Sequence, residues 1–302
     1  MQRCFYRPIA TLLTLALAAA ASAGAAVEEK ITHSFLATGP ATYIVGGDGK
    51  IVWEYPQGSR DGWVLPNGNV LLAVSSPTGG GVVEVTRDKK VVLEYQGTQK
   101  EVDTVQRLRN GNTLLSEAGP SPRLLELDSN GKVVKEVPLT SQLSDTHMQQ
   151  RMSRKLRNGN YLVPHLLDRV VKEYTPEGKV VWEAKTPHMP FTAIRLRDGN
   201  TLIGCTHGNL VIEVDPKGEI VWRVDNDDLP GRPLNDTCGV QRLPNGNTVI
   251  TSYHVKANET KLTEITRDKK IVWTYTDDKP HGIHHFQILD TNGKPLEGRP
   301  LR

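Results

Sequence analysis

The sequence predicts an all-β fold, a six-bladed β-propeller with four antiparallel strands per blade, and three observations carry that prediction. The first is a recurring phrase of two short apolar runs around Asn-Gly: VLPNGNVLL from Val64, RLRNGNTLL from Arg107, KLRNGNYLV from Lys155, RLRDGNTLI from Arg195 and RLPNGNTVI from Arg242. A degenerate sixth copy, QILDTNGKPL, starts at Gln287. The turn glycines Gly68, Gly111, Gly159, Gly199, Gly246 and Gly293 are spaced by 43, 48, 40, 47 and 47 residues, which means an array of units about 45 residues long. Asn-Gly between apolar runs reads as a hairpin, and the pair suits the two left-handed residues of a type I′ turn.

The second observation is a downstream phrase in each full unit: VEVTRDKKVVLEY from Val83, LELDSNGKVVKEV from Leu125, KEYTPEGKVVWEA from Lys172, IEVDPKGEIVWRV from Ile212 and TEITRDKKIVWTY from Thr263. It is again two strand-like runs around a tight turn. One unit is therefore an inner strand, the Asn-Gly turn, a second strand, a variable loop, a third strand, a charged turn and an outer strand. Arranged radially, such units solve the exposed-edge problem.

The third observation fixes the blade count. From Thr32 the chain supplies HSFLATG and ATYIVGGDGKIVWEY, which match second, third and outer strands only. The other end supplies GIHHFQILDTNG, an inner strand and its turn only. Joined, they make a closing blade shared by the N- and C-termini, three strands plus one, beside five complete blades.

The N-terminal segment 1–25 is expected to be a cleavable signal peptide. Arg3 and Arg7 precede an apolar run from Ile9 to Ala21, too short to span a bilayer, followed by Ala-x-Ala boxes at Ala21–Ala23 and Ala23–Ala25. Residues 26–302 are then a single propeller domain in a secreted or periplasmic protein. Without the leader 35 bases face 34 acids, a balance that favours neither nucleic acid nor an anionic membrane as a partner. No later stretch is long and apolar enough for membrane insertion as a helix. Cys205 ends one second strand and Cys238 starts the next inner strand, so in an oxidising compartment a disulfide between them is a candidate.

The outer-strand phrase D-x-x-G-x-x-x-W, seen at Asp215, Gly218 and Trp222, resembles the repeat of the pyrroloquinoline quinone (PQQ)-like propellers. Trp53, Trp182 and Trp273 occupy the equivalent places, while Leu93 and Lys135 depart from them. The resemblance implies the fold. Quinone-dependent members have eight blades and adjacent cysteines, and this chain has neither the length nor the cysteine pair, so PQQ is not expected. The Asn-Gly-Asn hairpin also looks like the repeats of six-bladed arylsulfotransferase-type propellers, which place a catalytic histidine at the central channel. Fold likeness does not deliver a function.

Comparison between blades separates scaffold from chemistry. The turn glycines, the tryptophans and the basic set Arg107, Lys155, Arg195 and Arg242 recur, and are read as architecture, the basic set as inter-blade hydrogen bonds. Residues that depart from the repeat are candidates for a site. His147, His188, His281, His284 and His285 fall just before or at inner strands, and His165, His207 and His254 fall at the ends of second strands. All eight map to the face opposite the Asn-Gly turns; His33 maps elsewhere. Asp61, Asp103, Glu117, Asp236 and Tyr253 join them there, and the long connections 138–150 and 225–237 are candidates for a partial lid.

The ligand-binding set is thus Asp61, Asp103, His147, His188, His207, Asp236, His254, His281, His284 and His285. It suits a small molecule, glycan or protein partner at the channel mouth. The alternative is a hydrolase, lyase or transferase with His188, His281 or His285 as acid–base or nucleophile. His284 and His285, adjacent in a strand, point to opposite sides, so no metal site is assigned.

Overall fold

In the computed structural model the described residues are 1–2, 30–76, 79–141, 144–298 and 300–302. Apart from Met1 and Gln2, the expected leader lies outside them. Among the described residues the chain forms six antiparallel sheets, and one three-residue 3-10 turn at Thr146–Met148. Five sheets are complete blades of consecutive strands, numbered here blade 1 (59–96), blade 2 (101–138), blade 3 (154–185), blade 4 (189–225) and blade 5 (240–276). The sixth joins distant parts of the chain: His285–Thr291 pairs antiparallel with His33–Thr38, with His285 opposite Thr38 and His33 opposite Thr291. Thr42–Val45 and Ile51–Tyr55 continue that sheet outward, and Lys294–Pro295 adds a short strand on its inner side. The fold is the six-bladed propeller the repeat predicts.

Each layer of apolar core lies between neighbouring blades. Trp63, Leu71 and Val82 of blade 1 pack against Val105, Leu115 and Leu125 of blade 2. Middle strands are therefore buried on both faces, as in Leu210–Val214, whereas outer strands such as Ile220–Asp225 are largely exposed. Tryptophans at the outer strands tie blades together: the indole N–H groups of Trp53, Trp182 and Trp222 donate to the carbonyls of Arg87, Pro216 and Arg267 in the next blade's charged turn.

The recurring basic residues are seam contacts. Arg107 pairs with Glu84, Lys155 with Glu126, Arg195 with Glu173 at 2.9 Å and Arg242 with Glu213 at 3.1 Å, each across one blade boundary. The second asparagine of Asn-Gly-Asn serves the same carboxylate: the side-chain amides of Asn69, Asn160, Asn200 and Asn247 donate to Glu84, Glu173, Glu213 and Glu264. The repeat is thus a conserved geometry of one glutamate held from its own blade and the next.

The expected type I′ hairpin is corrected. In the five full copies glycine has positive φ, +85° at Gly68 and +89° at Gly246, but the residue before it does not. The Gly68 N–H donates to Leu65 O at 2.9 Å and the Leu65 N–H to Asn69 O at 2.8 Å. This is a type I turn closed by a left-handed glycine. Pro66 and Pro244 suit its first central position, where φ near −65° is required, and Asn67 Oδ1 accepts the Asn69 N–H at 3.1 Å. Only the degenerate copy, Asn292 (φ 52°) and Gly293 (φ 72°), has two left-handed residues.

Candidate functional site

The starts of the six inner strands converge on one mouth of the channel. Each blade contributes one side chain there: Arg60, Asp103, Arg151, Phe191, Cys238 and His284, in blade order. Arg60 Nε lies 3.5 Å and Arg151 Nη1 3.3 Å from Asp103 Oδ1. The Arg151 guanidinium stands 5.9 Å from the Phe191 ring centroid, Phe191 meets His284 edge-on at 4.5 Å, and His284 Nδ1 returns to the Arg60 carbonyl at 3.4 Å. Cys238 packs behind Phe191 with Met152 and Leu166.

Asp103 is the unusual member. Its side chain is fully buried, yet neither carboxyl oxygen makes a hydrogen bond, the two guanidiniums lacking the alignment for one. Burial raises its pKa and outweighs the arginines. Two residues earlier, Glu101 is held down at about 2: burial opposes this, but contacts with His147, Arg60 and Arg151 prevail. Glu101 lies 3.2 Å from Arg60 Nη2 and 3.1 Å from His147 Nδ1, with His147 placed by the 3-10 turn that Asp145 caps. Neighbouring carboxyls with pKa values driven apart suit distinct proton-donor and acceptor roles.

A second arc continues round the mouth. His284 packs at 5.0 Å against Tyr253, and Tyr253 at 5.0 Å against His254. His254 Nδ1 lies 3.0 Å from Asp236 Oδ2, and Asp236 Oδ1 accepts the His207 N–H at 2.8 Å. His207 and Asp236 both sit at positive φ, 57° and 60°, a conformation held by that bond and by Asn209 Oδ1 on the Asp236 N–H. Strain of this kind persists only where surrounding contacts impose it.

The structure therefore brings together Asp103, His147, His207, Asp236, His254 and His284 of the predicted set. His188 is exposed and its ring lies against Gly208, beside His207. His281 is half-buried, with Nδ1 3.2 Å from the Gly282 carbonyl. Two predicted mouth residues are corrected. Asp61 and His285 lie inside the channel: Asp61 pairs with Arg154 and Arg302, and His285 Nε2 faces Arg154 Nη2 at 3.1 Å. Asp61 stands seven residues before its turn glycine, whereas Arg60 stands eight before it, as Asp103 does before Gly111, so Arg60 holds the mouth position; Arg60 and Asp103 are each the bulged residue of their inner strand. His165 is buried against the Tyr174 hydroxyl at 2.9 Å, and Glu117 is consumed by Thr98 and Arg123.

The candidate disulfide is also corrected: Cys205 and Cys238 are free, buried thiols. They face different packing layers, Cys205 the seam with Leu162 and Ile203, Cys238 the mouth cluster with Phe191. The connection 225–237 is no loose lid, because Leu229 and Leu234 anchor it in the core.

Arg60, Glu101, Arg151 and Phe191 went unnoticed in the sequence. The signal was present: at the position where blade 2 has Asp103, the blades read Arg60, Asp103, Arg151, Phe191 and Cys238, as variable as any in the repeat. Arginine and lysine also recur at the seams, so residue type alone does not set Arg60 and Arg151 apart.

Residues 82–266 match the family described as Mal s 1 allergenic protein-like. No curated protein matches the chain. A protein of unknown function from Bacteroides caccae is similar at 25% identity and TM-score 0.76, over 88% of this chain and 100% of that one. A catalytically inactive histidine-to-alanine variant of virginiamycin B lyase from Staphylococcus aureus, with quinupristin, is similar at 14% identity and TM-score 0.58, over 87% and 94%. The WD40 propeller domain of Doa1 is similar at 13% identity and TM-score 0.54, over 72% and 70%.

Proposed function

This chain belongs to the Mal s 1 allergenic protein-like family, and we propose that it is an exported propeller that binds a small polar molecule at the histidine-bearing mouth of its channel. The observation that carries the reading is Asp103, a fully buried carboxyl with both oxygens unbonded, between two guanidiniums. An unsatisfied buried polar group costs roughly 1–3 kcal/mol, a cost a ligand removes if it displaces the partly exposed Arg60 side chain and bonds to Asp103 in its place. With its pKa raised, Asp103 is suited to donate a proton to a ligand oxygen, and Arg60 and Arg151 add further donors. Phe191, Tyr253 and His284 supply aromatic walls, a combination that fits a hydroxyl- and carbonyl-bearing molecule such as a saccharide. Export rests on the leader-like segment 1–25. The likeness of the outer-strand phrase to PQQ-like repeats belongs to the same proposal, as a shared blade pattern without the cofactor.

The test is a thermal-shift screen of neutral and acidic saccharides against the wild type and Asp103→Asn. A saccharide that stabilises the wild type and loses its effect in the folded variant supports the reading. Saccharides that stabilise both proteins equally would place binding elsewhere.

A second reading is favoured by the separated pKa values of Glu101 and Asp103. In it the same mouth catalyses a lyase or hydrolase step, Asp103 as acid and Glu101 as base. Virginiamycin B lyase puts catalysis on this fold, and its histidine-to-alanine variant is inactive. Turnover of a bound saccharide, lost in Glu101→Gln with binding retained, separates enzyme from binder.

A further inference from the structure

The opposite mouth of the channel, on the Asn-Gly turn face, holds a second site that the chain fills by itself. The last residues turn inward there: the Arg242 N–H donates to Leu301 O at 3.0 Å, and Arg302 enters the channel. The Arg302 side chain is fully enclosed. Its Nη2 lies 3.2 Å from Asp61 Oδ1 and also donates to the Gly62 carbonyl, while Nη1 donates to the Phe286 carbonyl. The guanidinium lies 4.0 Å from the Trp63 ring centroid. Behind it, Arg154 donates from Nε to the Arg302 carbonyl at 2.9 Å and from Nη1 to Asp61 Oδ2 at 2.8 Å.

One carboxylate, two carbonyls and an indole face meet the planar fork of a guanidinium, and a donor meets the carbonyl of the residue that carries it. That set distinguishes arginine from lysine, whose ammonium can neither bridge the acceptors in one plane nor stack as well. Burial pulls the Arg302 guanidinium down to about 9, with Asp61 acting in the opposite direction, so it is charged at neutral pH. The pocket is built without Arg302: Asp61 is independently fixed by the N–H groups of Gly62 and Val105 and by Arg154.

The tail, by contrast, is lightly held. Glu297 and Gly298 are exposed, and Leu301 and Pro300 are only half-buried. Beside the tail a cavity of about 360 Å³ reaches the turn face, lined by Trp63, Arg154, Ile194, Leu196 and Pro300–Arg302, within the size range of small-ligand sites.

We propose that this pocket is an arginine-recognition site occupied in cis by Arg302, and that an arginine-bearing peptide segment of a partner protein competes with the tail for it. A tethered occupant has a local concentration of roughly millimolar. An incoming peptide must therefore exceed that level, or grip the cavity walls as well, to displace it.

The test uses the full chain with Arg302→Ala and the capped tripeptide Pro-Leu-Arg as probe, read by calorimetry and thermal shift. The emptied variant should bind the peptide at least tenfold more tightly than the wild type does and regain the melting temperature lost by the substitution. Pro-Leu-Lys should bind at least tenfold more weakly than Pro-Leu-Arg, and adding Asp61→Asn should abolish the preference. If Arg302 only braces the fold, the folded variant will be less stable and indifferent to either peptide, which overturns the proposal. Equal response to the two peptides overturns it as well. Should Arg302→Ala not fold, Arg302→Lys retains charge and stem without the fork, and the same two peptides decide.

Discussion

His33 Nε2 lies 2.7 Å from Glu264 Oε2, both side chains buried, and this contact replaces the pair of arginine or lysine with glutamate found at four other seams. Glu264 occupies the third-strand position of Glu84, Glu126, Glu173 and Glu213, but the inner strand of the closing blade has Ile288 where four others have arginine or lysine. The partner comes instead from His33 on the adjoining strand. At the remaining seam both partners change together: Ile44 stands in the glutamate position and Val64 in the arginine position, packed in one apolar cluster.

Removing His33 should therefore cost more than removing a seam arginine. Glu213 keeps Arg267 when Arg242 is lost, whereas Glu264 keeps only the neutral amides of Asn247 and Asn245 when His33 is lost. His33→Ala is expected to destabilise by about 3–5 kcal/mol, the usual cost of orphaning a buried charge. Arg242→Ala should cost less, about 1–2 kcal/mol, because the buried Glu213 charge stays paired with Arg267. Urea denaturation compares the two, and a smaller loss for His33→Ala would refute the equivalence.

Stability should decline steadily on acidification. Burial pushes His165 and His284 down to about 3 and His285 well below its usual 6.5, with arginines adding to the effect at the latter two. The unfolded chain therefore binds protons first, so stability is full above pH 6.5 and falls below it. Burial alone would raise Glu126, Glu213 and Glu264, but hydrogen bonds from Lys155, Arg267 and His33 outweigh it and leave all three lowered. Their contribution is present above 4.5 and is lost as pH falls through the folded values. Denaturation midpoints between about pH 8 and pH 3 should fall from about pH 6.5 and more steeply below about 4.5; a maximum near pH 5 would contradict the assignment.

Backbone conformation at the turns can be tested one residue at a time. Gly246→Ala meets no atom within 4 Å, so its cost is purely that of a left-handed alanine, roughly 1–2 kcal/mol. Gly47→Ala, equally open and without positive φ, should be neutral or slightly stabilising. Lys89 is left-handed at φ 66° where blades 2, 3 and 4 have Gly131, Gly178 and Gly218. Lys89→Gly should raise the melting temperature slightly, relief of strain exceeding the added chain entropy by up to about 1 kcal/mol.

The two thiols should be inert in the native protein. Burial pushes Cys205 up to about 12 and Cys238 well above 9. A disulfide-exchange reagent at neutral pH is expected to label neither until denaturant is added, and reductant should leave the melting temperature unchanged. A reductant-sensitive melting temperature would restore the disulfide.

The sequence by itself determined the blades, their number and their seams. Those features are set by local turn chemistry and by contacts repeated at a fixed period, so each copy of the phrase from Val64 to Gln287 reports on the others. It also marked Asp103, His147, Asp236 and His254 as departures from that period. Tertiary structure alone decided which departures meet. The bulged residue of the inner strand, Arg60 or Asp103, faces the mouth, while Asp61, one residue on, turns into the channel, and the strand that starts at His285 carries it inward while His284 stays at the mouth. Arg302 lies outside every repeat, and its role depends on Asp61, Trp63 and Arg154, residues from two blades that only ring closure brings to one point. Periodicity is written in neighbouring residues; convergence on an axis is a property of the closed ring.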